Sequence, residues 1–312
     1  MQITNFLAAA VAVTPLVAAH SPLLSSRSGR PSRCANHVPP PKIYDQMSRL
    51  ADDDVTYGRV HAAEIGQTKC KRTIKVPTWI HAAVPENATD AYLNDASLQK
   101  QLDVLNAAYV DHDVIFVKEG FTRTVSDSIS VFSYSDDAEG AIGGSPNPDI
   151  EAYWKQYRTG DYKTLHIWLY NEMTAGLLGI ATFPDLDKPE SDKWLDGVHA
   201  DGNSVPGGSL DKYNLGITVV HEVGHWLGLF HVFSDEGICG GDGDLVADTP
   251  AQSEATYGCP ADGTKDSCPA PGLDSIHNYM DYSDDVCLTE FTEGQEARVH
   301  NSWTNIRAAV QW

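Results

Sequence analysis

The chain has 312 residues, with 22 Lys and Arg against 43 Asp and Glu, a net charge of −21 at neutral pH. Such an acidic balance excludes nucleic acid as a partner, because phosphate binding needs a basic surface, and it disfavours docking on an anionic membrane. A hydrophobic fraction of 42% with seven Trp and thirteen Tyr is ample for a packed core, which excludes a disordered chain.

Residues 6–19, FLAAAVAVTPLVAA, form an apolar run too short to span a bilayer and broken by Pro15. Small residues at Val17 and Ala19 place a signal-peptide cleavage near Ala19, so residues 1–19 are read as a signal and the protein as secreted and extracellular. Residues 20–74 are read as an N-terminal lead or short pro-segment. The Ser-, Arg- and Pro-rich stretch 21–33 opens it and reads as an exposed linker or short pro-segment, any activation cleavage around Arg27–Arg33 is left open, and no element is assigned over 34–73. Asn87-Ala88-Thr89 is the one N-glycosylation triplet.

Regular elements begin near Val76. The patterns predict a strand over 76–84, a helix over 97–110, strands over 114–120 and 124–134, a helix over 149–157 and a strongly apolar strand over 164–171. Short strands follow at 176–183 and 196–202, then the longest apolar helix candidate, 214–230. Past His231 the texture changes, and Gly, Asp, Pro and Cys dominate 235–275. Thr292 and Gln295 form a capping box that opens a final helix through about Ala309. The pattern is an α/β (α+β) region followed by an irregular, cross-linked one. A catalytic domain over 75–312 is expected, with an upper part at 75–231 and a lower part at 232–312.

Six cysteines, at 34, 70, 239, 259, 268 and 287, suit three disulfides in a secreted chain, although six allow 15 pairings. The clustered four contain no C-x-x-C pair, which disfavours a cysteine zinc site.

His221-Glu222-Val223-Gly224-His225 places two imidazoles one helical turn apart on one face, near enough to share a metal. Gly228, three residues after the second histidine, can adopt left-handed angles, end the helix and let His231 swing back to the same ion. Zinc suits three imidazoles, and the fourth position stays open for water, as in a catalytic site. Glu222 lies between the ligands and is placed to take the proton of that water and pass it to a leaving amine.

Asn278-Tyr279-Met280-Asp281-Tyr282 adds a methionine in a tight-turn context some fifty residues downstream. HEVGHWLGLFH followed by NYMDY resembles a metzincin, in which Met280 would lie in an apolar turn beneath the zinc site. LLGIATFP, CGGDGDLVADTPAQ and HNYMDYSDDVCLTEFTEGQ narrow the resemblance to the pappalysin family, particularly its secreted fungal-type metalloproteases. The resemblance spans about 75–312 and is most specific over 176–300. It implies a metzincin-type zincin fold, with a twisted mixed sheet and two long helices above an irregular, disulfide-linked lower part. A protein or peptide substrate would lie extended between the parts and pair with an edge strand.

The same resemblance implies that Tyr282 supports the oxyanion, packing being the alternative role. It also implies the pairs Cys239–Cys268 and Cys259–Cys287, which leaves Cys34 for Cys70. A Cys34 thiolate capping the zinc in a latent form is the other reading; the disulfide is preferred because it leaves no odd thiol. Asp242, Asp244 and Asp248 are candidate calcium ligands, or else a solvated acidic loop. His199, His277, Trp226 and the loop 271–278 are expected to shape the cleft. The functional expectation is a monomeric zinc endopeptidase with one catalytic zinc and possible calcium. A catalytically silent zinc-binding recognition module is the alternative, disfavoured by the intact Glu222.

Overall fold

The computed structural model describes residues 32–34, 39–64, 73–133 and 147–312; the signal and Cys70 lie outside them. Eight strands and five α-helices follow in chain order. They are β1 (Ser32–Cys34), α1 (Pro41–Glu64), β2 (Ile74–Val84), α2 (Asp95–Tyr109), β3 (Val114–Val125), β4 (Val131–Phe132) and α3 (Pro148–Tyr157). After them come β5 (Leu165–Tyr170), β6 (Glu172–Met173), β7 (Leu177–Ala181), β8 (Val198–Asp201), α4 (Ile217–Trp226) and α5 (Glu293–Ser302).

Six strands make a mixed sheet in the order β1-β7-β8-β5-β2-β3, and β4 pairs with β6. Strands β8, β5, β2 and β3 are mutually parallel, whereas β7 runs antiparallel to β8 and β1 parallel to β7. The sheet is covered on both faces, so its inner strands are rich in apolar residues. Every residue of β5 is buried. The period of two divides them: Leu165, Ile167 and Leu169 join the core that holds α2 and α4, while Trp168 and Tyr170 join a second core with α3.

This alternation decides where His199 goes. Its neighbours Val198 and Ala200 face the α4 side, so His199 points to the opposite core, stacked on Phe132 at 5.3 Å and against Trp154 at 4.7 Å. The expectation that His199 shapes a cleft is therefore corrected. Trp226 is likewise a core residue, buried with Nε1 donating to Asp196 Oδ2 and the Arg307 guanidinium 3.8 Å above its ring.

Two further departures have local causes. The segment 114–125 is one strand, β3, which takes in the first two residues of the second expected strand, and among the other described residues of that segment Val131 and Phe132 form β4. As the sheet edge, β3 leaves residues 118–123 exposed or half-buried, which erases the apolar signal expected of a strand. Helix α1 occupies much of the unassigned 34–73. Pro41 is at its first position, where the missing N–H costs nothing. Ile43, Met47 and Leu50 bury against Tyr162, Phe183, Phe230 and Ile306, and Asp54 continues the stripe by pairing with Arg298 of α5.

The final helix has the expected capping box but ends at Ser302, followed by a wider π-type turn over Trp303–Arg307. Between α4 and α5 the chain is mostly irregular, tied by the disulfides Cys239–Cys268 and Cys259–Cys287.

Candidate metal centre

Helix α4 starts at Gly216, whose φ of +87° favours glycine, and every one of its residues is buried. Its apolar face meets the sheet and α2, where the Tyr109 hydroxyl donates to the Val220 carbonyl. Past the last helical residue, Trp226, the chain reverses at Gly228, with φ +96°, and the Gly228 and Leu229 amides donate back to the His225 and Gly224 carbonyls. The reversal returns His231 to the face that carries His221 and His225.

There the three rings converge. His225 Nε2 lies 3.1 Å from His221 Nε2 and 3.2 Å from His231 Nε2. The opposite ring nitrogens fix the tautomers: His221 Nδ1–H donates to the Tyr279 carbonyl at 2.7 Å and His225 Nδ1–H to the Leu229 carbonyl at 2.8 Å. Asp235 Oδ2 lies 3.3 Å from His231 Nδ1. All three Nε2 atoms therefore present lone pairs to one another with no proton between them, an arrangement that calls for a cation. Tetrahedral zinc with bonds of about 2.0–2.1 Å sets ligand nitrogens roughly 3.3–3.4 Å apart, so the donor set fits zinc in chemistry and spacing. Burial and the neighbouring His225 and His231 hold His221 well below the usual histidine range, in the neutral form a metal ligand needs.

Cys34 is the fourth member. Its sulfur and the three histidine nitrogens lie within 4.8 Å of one another, the one such group among the described residues. Cys34 is a buried thiol, not half of a disulfide, and this corrects the expected Cys34–Cys70 pairing. The cause is the register of β1, which sets Cys34 opposite Gly179 of β7 and turns its sulfur inward. Arg33 anchors the same strand: its buried guanidinium donates to the Ser283 carbonyl and Asp285 Oδ1, and Asp285 Oδ2 accepts from Leu215 N at 2.9 Å. Arg33 itself is buried, with 1% of its surface exposed.

Glu222 is fully buried, with Oε2 accepting from the Cys34 thiol at 3.5 Å and Oε1 without a hydrogen-bond partner among the described residues. Burial pushes its carboxyl well above the usual carboxylate range. Strand β7 reaches it through Gly179, where a Cβ would stand 2.5 Å from Glu222 Oε1. Met280 is fully buried beneath α4, its sulfur so near Gly224 that a Cβ there would meet it at 2.4 Å. Tyr282 is buried as well; its hydroxyl donates to the Cys34 carbonyl at 3.1 Å and lies 3.3 Å from His231 Nε2.

The acidic loop behaves differently. Asp248 accepts from Thr292 Oγ1 and Gly294 N at the start of α5, Asp244 Oδ1 accepts from Thr249 Oγ1 and Val246 N, and Asp242 faces Tyr44. The three expected calcium ligands are thus not gathered into one group. His277 bonds the Cys287 carbonyl and Asp262, outside the histidine cluster.

The family model for pregnancy-associated plasma protein-A, a peptidase family, matches residues 150–303. An extracellular metalloprotease of Pyricularia oryzae is 39% identical over 279 residues, 88% of this chain and 90% of that protein. The chain belongs to the pappalysin family of metalloproteases. Two solved structures are similar to it. Mature mirolysin of Tannerella forsythia in complex with a cleaved peptide is 28% identical, with a TM-score of 0.57 over 74% of this chain and 92% of that chain. A promirolysin mutant of the same organism is 25% identical, with a TM-score of 0.58 over 86% of this chain and 93% of that one. The expected metzincin-type fold is thereby established, and the three histidines lie in a peptidase scaffold.

Sequence reasoning did not single out Arg33, Gly179 or Asp235. Each acts through a neighbour remote in sequence or through a fold-dependent turn, and no local pattern announces it.

Proposed function

We propose that the protein is a secreted zinc endopeptidase, with His221, His225 and His231 as the zinc ligands and Glu222 as general base. The observation that carries this reading is the meeting of three Nε2 lone pairs beside the buried Glu222 carboxylate. When bound, zinc supplies Lewis-acid polarisation and brings the pKa of water to near neutrality. Glu222 takes a proton from the water that attacks the peptide carbonyl and delivers it to the amine nitrogen as the C–N bond breaks. Tyr282 is the donor for the developing oxyanion, its hydroxyl being within 3.3 Å of a ligand nitrogen. The cleaved peptide in mature mirolysin and the extracellular relatives support protein substrates and secretion. Asn87 is exposed in the turn after β2, as a glycosylated residue must be.

The lead keeps this chain latent. We assign 1–19 as signal, 20–74 as pro-segment and 75–312 as the catalytic domain, with parts at 75–231 and 232–312. Strand β1 lies along β7, where an extended substrate would pair, and its Cys34 thiol reaches the position a reacting group would take. The match to promirolysin extends over more of this chain than the match to the mature form, consistent with a pro-segment here.

The test is casein hydrolysis by protein freed of its lead, with and without a chelator, against Glu222→Gln. The glutamine keeps the shape and loses the base, so activity falls by about 10²–10⁴-fold while one zinc per chain is retained. A Glu222→Gln protein of undiminished activity removes the mechanism, and a zinc-loaded wild type that cleaves nothing favours a recognition module.

A further inference from the structure

What aims each ligand nitrogen is the partner of the opposite ring nitrogen. For His221 and His225 that partner is a backbone carbonyl, of Tyr279 and Leu229. For His231 it is a carboxylate, Asp235 Oδ2 at 3.3 Å. We infer that Asp235 is a positioning residue for the third zinc ligand, an inference that rests on the zinc reading above.

His231 needs such a partner more than the others do. His221 and His225 are borne on α4, whose hydrogen-bond ladder fixes their backbones, whereas His231 follows the Gly228 reversal and belongs to no helix. Its ring is held in plane by Phe233, with centroids 4.6 Å apart at 12°, and edge-on by Tyr282 at 5.1 Å. Neither aromatic contact chooses which nitrogen carries the proton. The Asp235 carboxylate does: it accepts the Nδ1 hydrogen and leaves the Nε2 lone pair facing the cluster. It also raises the basicity of that nitrogen, which a carbonyl does less strongly.

The chain leading into Asp235 is fixed at two points. Ser234 N donates to the Gln252 carbonyl at 2.7 Å, and Val232 N faces the Met280 carbonyl at 3.4 Å. The carboxylate is 14% exposed and borders a cavity of about 620 Å³ between the lead residues Pro39 and Tyr44 and the loop 232–252. It is thus partly screened, and its effect belongs in the range typical of outer-sphere partners.

Asp235→Ala removes the acceptor and leaves all three ligands, so metal affinity falls by about 10–100-fold. Asp235→Asn keeps an acceptor oxygen without the charge and recovers part of the loss. The measurement is zinc retention by the full chain in competition with a chromophoric chelator, paired with the visible spectrum of the cobalt-substituted protein and with thermal unfolding of the metal-depleted protein. The expected result is an affinity order of wild type, Asn, Ala, an altered cobalt spectrum for Ala, and unfolding midpoints that coincide once the metal is gone. An Ala variant that retains zinc like wild type overturns the inference, as does a loss of affinity matched by lower stability of the metal-depleted protein. Failure of the wild type itself to hold one zinc per chain is a separate outcome; it removes the zinc reading and the role of Asp235 with it.

Discussion

The Cys34 thiol donates to Glu222 Oε2 at 3.5 Å, while the Cys34 carbonyl accepts from the Tyr282 hydroxyl at 3.1 Å. One residue of the lead therefore engages both groups to which the proposed chemistry assigns a proton. Replacing Cys34 by Ala in the uncut chain removes the sulfur but keeps the Arg33–Asp285 pair and the β1–β7 strand contact. Casein hydrolysis by the intact variant should rise at least about tenfold, the factor that a contact of only about 1.4 kcal/mol provides. Mass spectrometry must show the lead still attached. An intact variant as silent as wild type would mean the thiol is not the latch.

Gly228 joins the helix of the first two ligands to the third. Its φ of +96° is costly for any other residue, and a Cβ would stand 2.8 Å from Ser302 Oγ and 3.2 Å from Met47 Cε. Gly228→Ala should destabilise the protein by about 1–3 kcal/mol and shift His231 off the cluster. Differential scanning calorimetry reads the first effect and zinc stoichiometry the second. A variant with unaltered melting and full zinc content would show that the turn tolerates a side chain.

Acid should weaken the fold through buried histidines far from the metal centre. Burial lowers both His166 and His199 to about 3. Neutrality is built into their hydrogen bonds: His166 Nε2–H donates to Thr159 O and its Nδ1 accepts from His81, while His199 Nδ1 bonds the Tyr170 hydroxyl. The unfolded chain takes up these protons near pH 6.5 and the folded one only near 3, so the stabilisation is complete above 6.5 and is lost as pH falls from there toward 3. Urea unfolding between pH 7 and 4 should show this decline. In His199→Gln the slope should be shallower by up to one proton, about 1.4 kcal/mol per pH unit. Equal slopes for the two proteins would assign the acid sensitivity elsewhere.

How much of this was legible depends on the range of the interaction. His221, Glu222, His225 and His231 were legible because an 11-residue pattern of spacing and one glycine carries them, and the helix that bears the first three is buried throughout. Strands β2 and β5 were legible for the same reason. Cys34 was misread because even cysteine counts favour disulfides, whereas its real neighbour, Glu222, stands 188 positions away. His199 was misread because the face it takes depends on the strand period, which shows only once Val198 and Ala200 are seen to fill the other core. The loop Asp242–Asp248 resembled a cation site in composition, yet its carboxylates serve Thr249, Val246 and the start of α5.

Helix α1 was hidden by its own electrostatics. Asp52, Asp53 and Asp54 interrupt its apolar stripe, and the sequence cannot show that Asp54 turns inward onto α5. In the fold Asp54 accepts from Arg298 Nε at 2.6 Å and from Asn301 Nδ2 at 2.7 Å, and Arg298 donates onward to the Leu245 carbonyl. Arg298 is fully buried, so Asp54→Ala leaves a desolvated cation without its counter-charge. Removal of one partner from a buried pair costs about 3–5 kcal/mol. Asp54→Asn, which keeps a hydrogen-bond acceptor, should lose less. Urea unfolding of the full chain measures both, and limited proteolysis within 41–64 should accelerate in the same order, because the pair ties α1 to α5. An Asp54→Ala protein as stable and as resistant as wild type would show that Ile43, Met47 and Leu50 hold α1 without it.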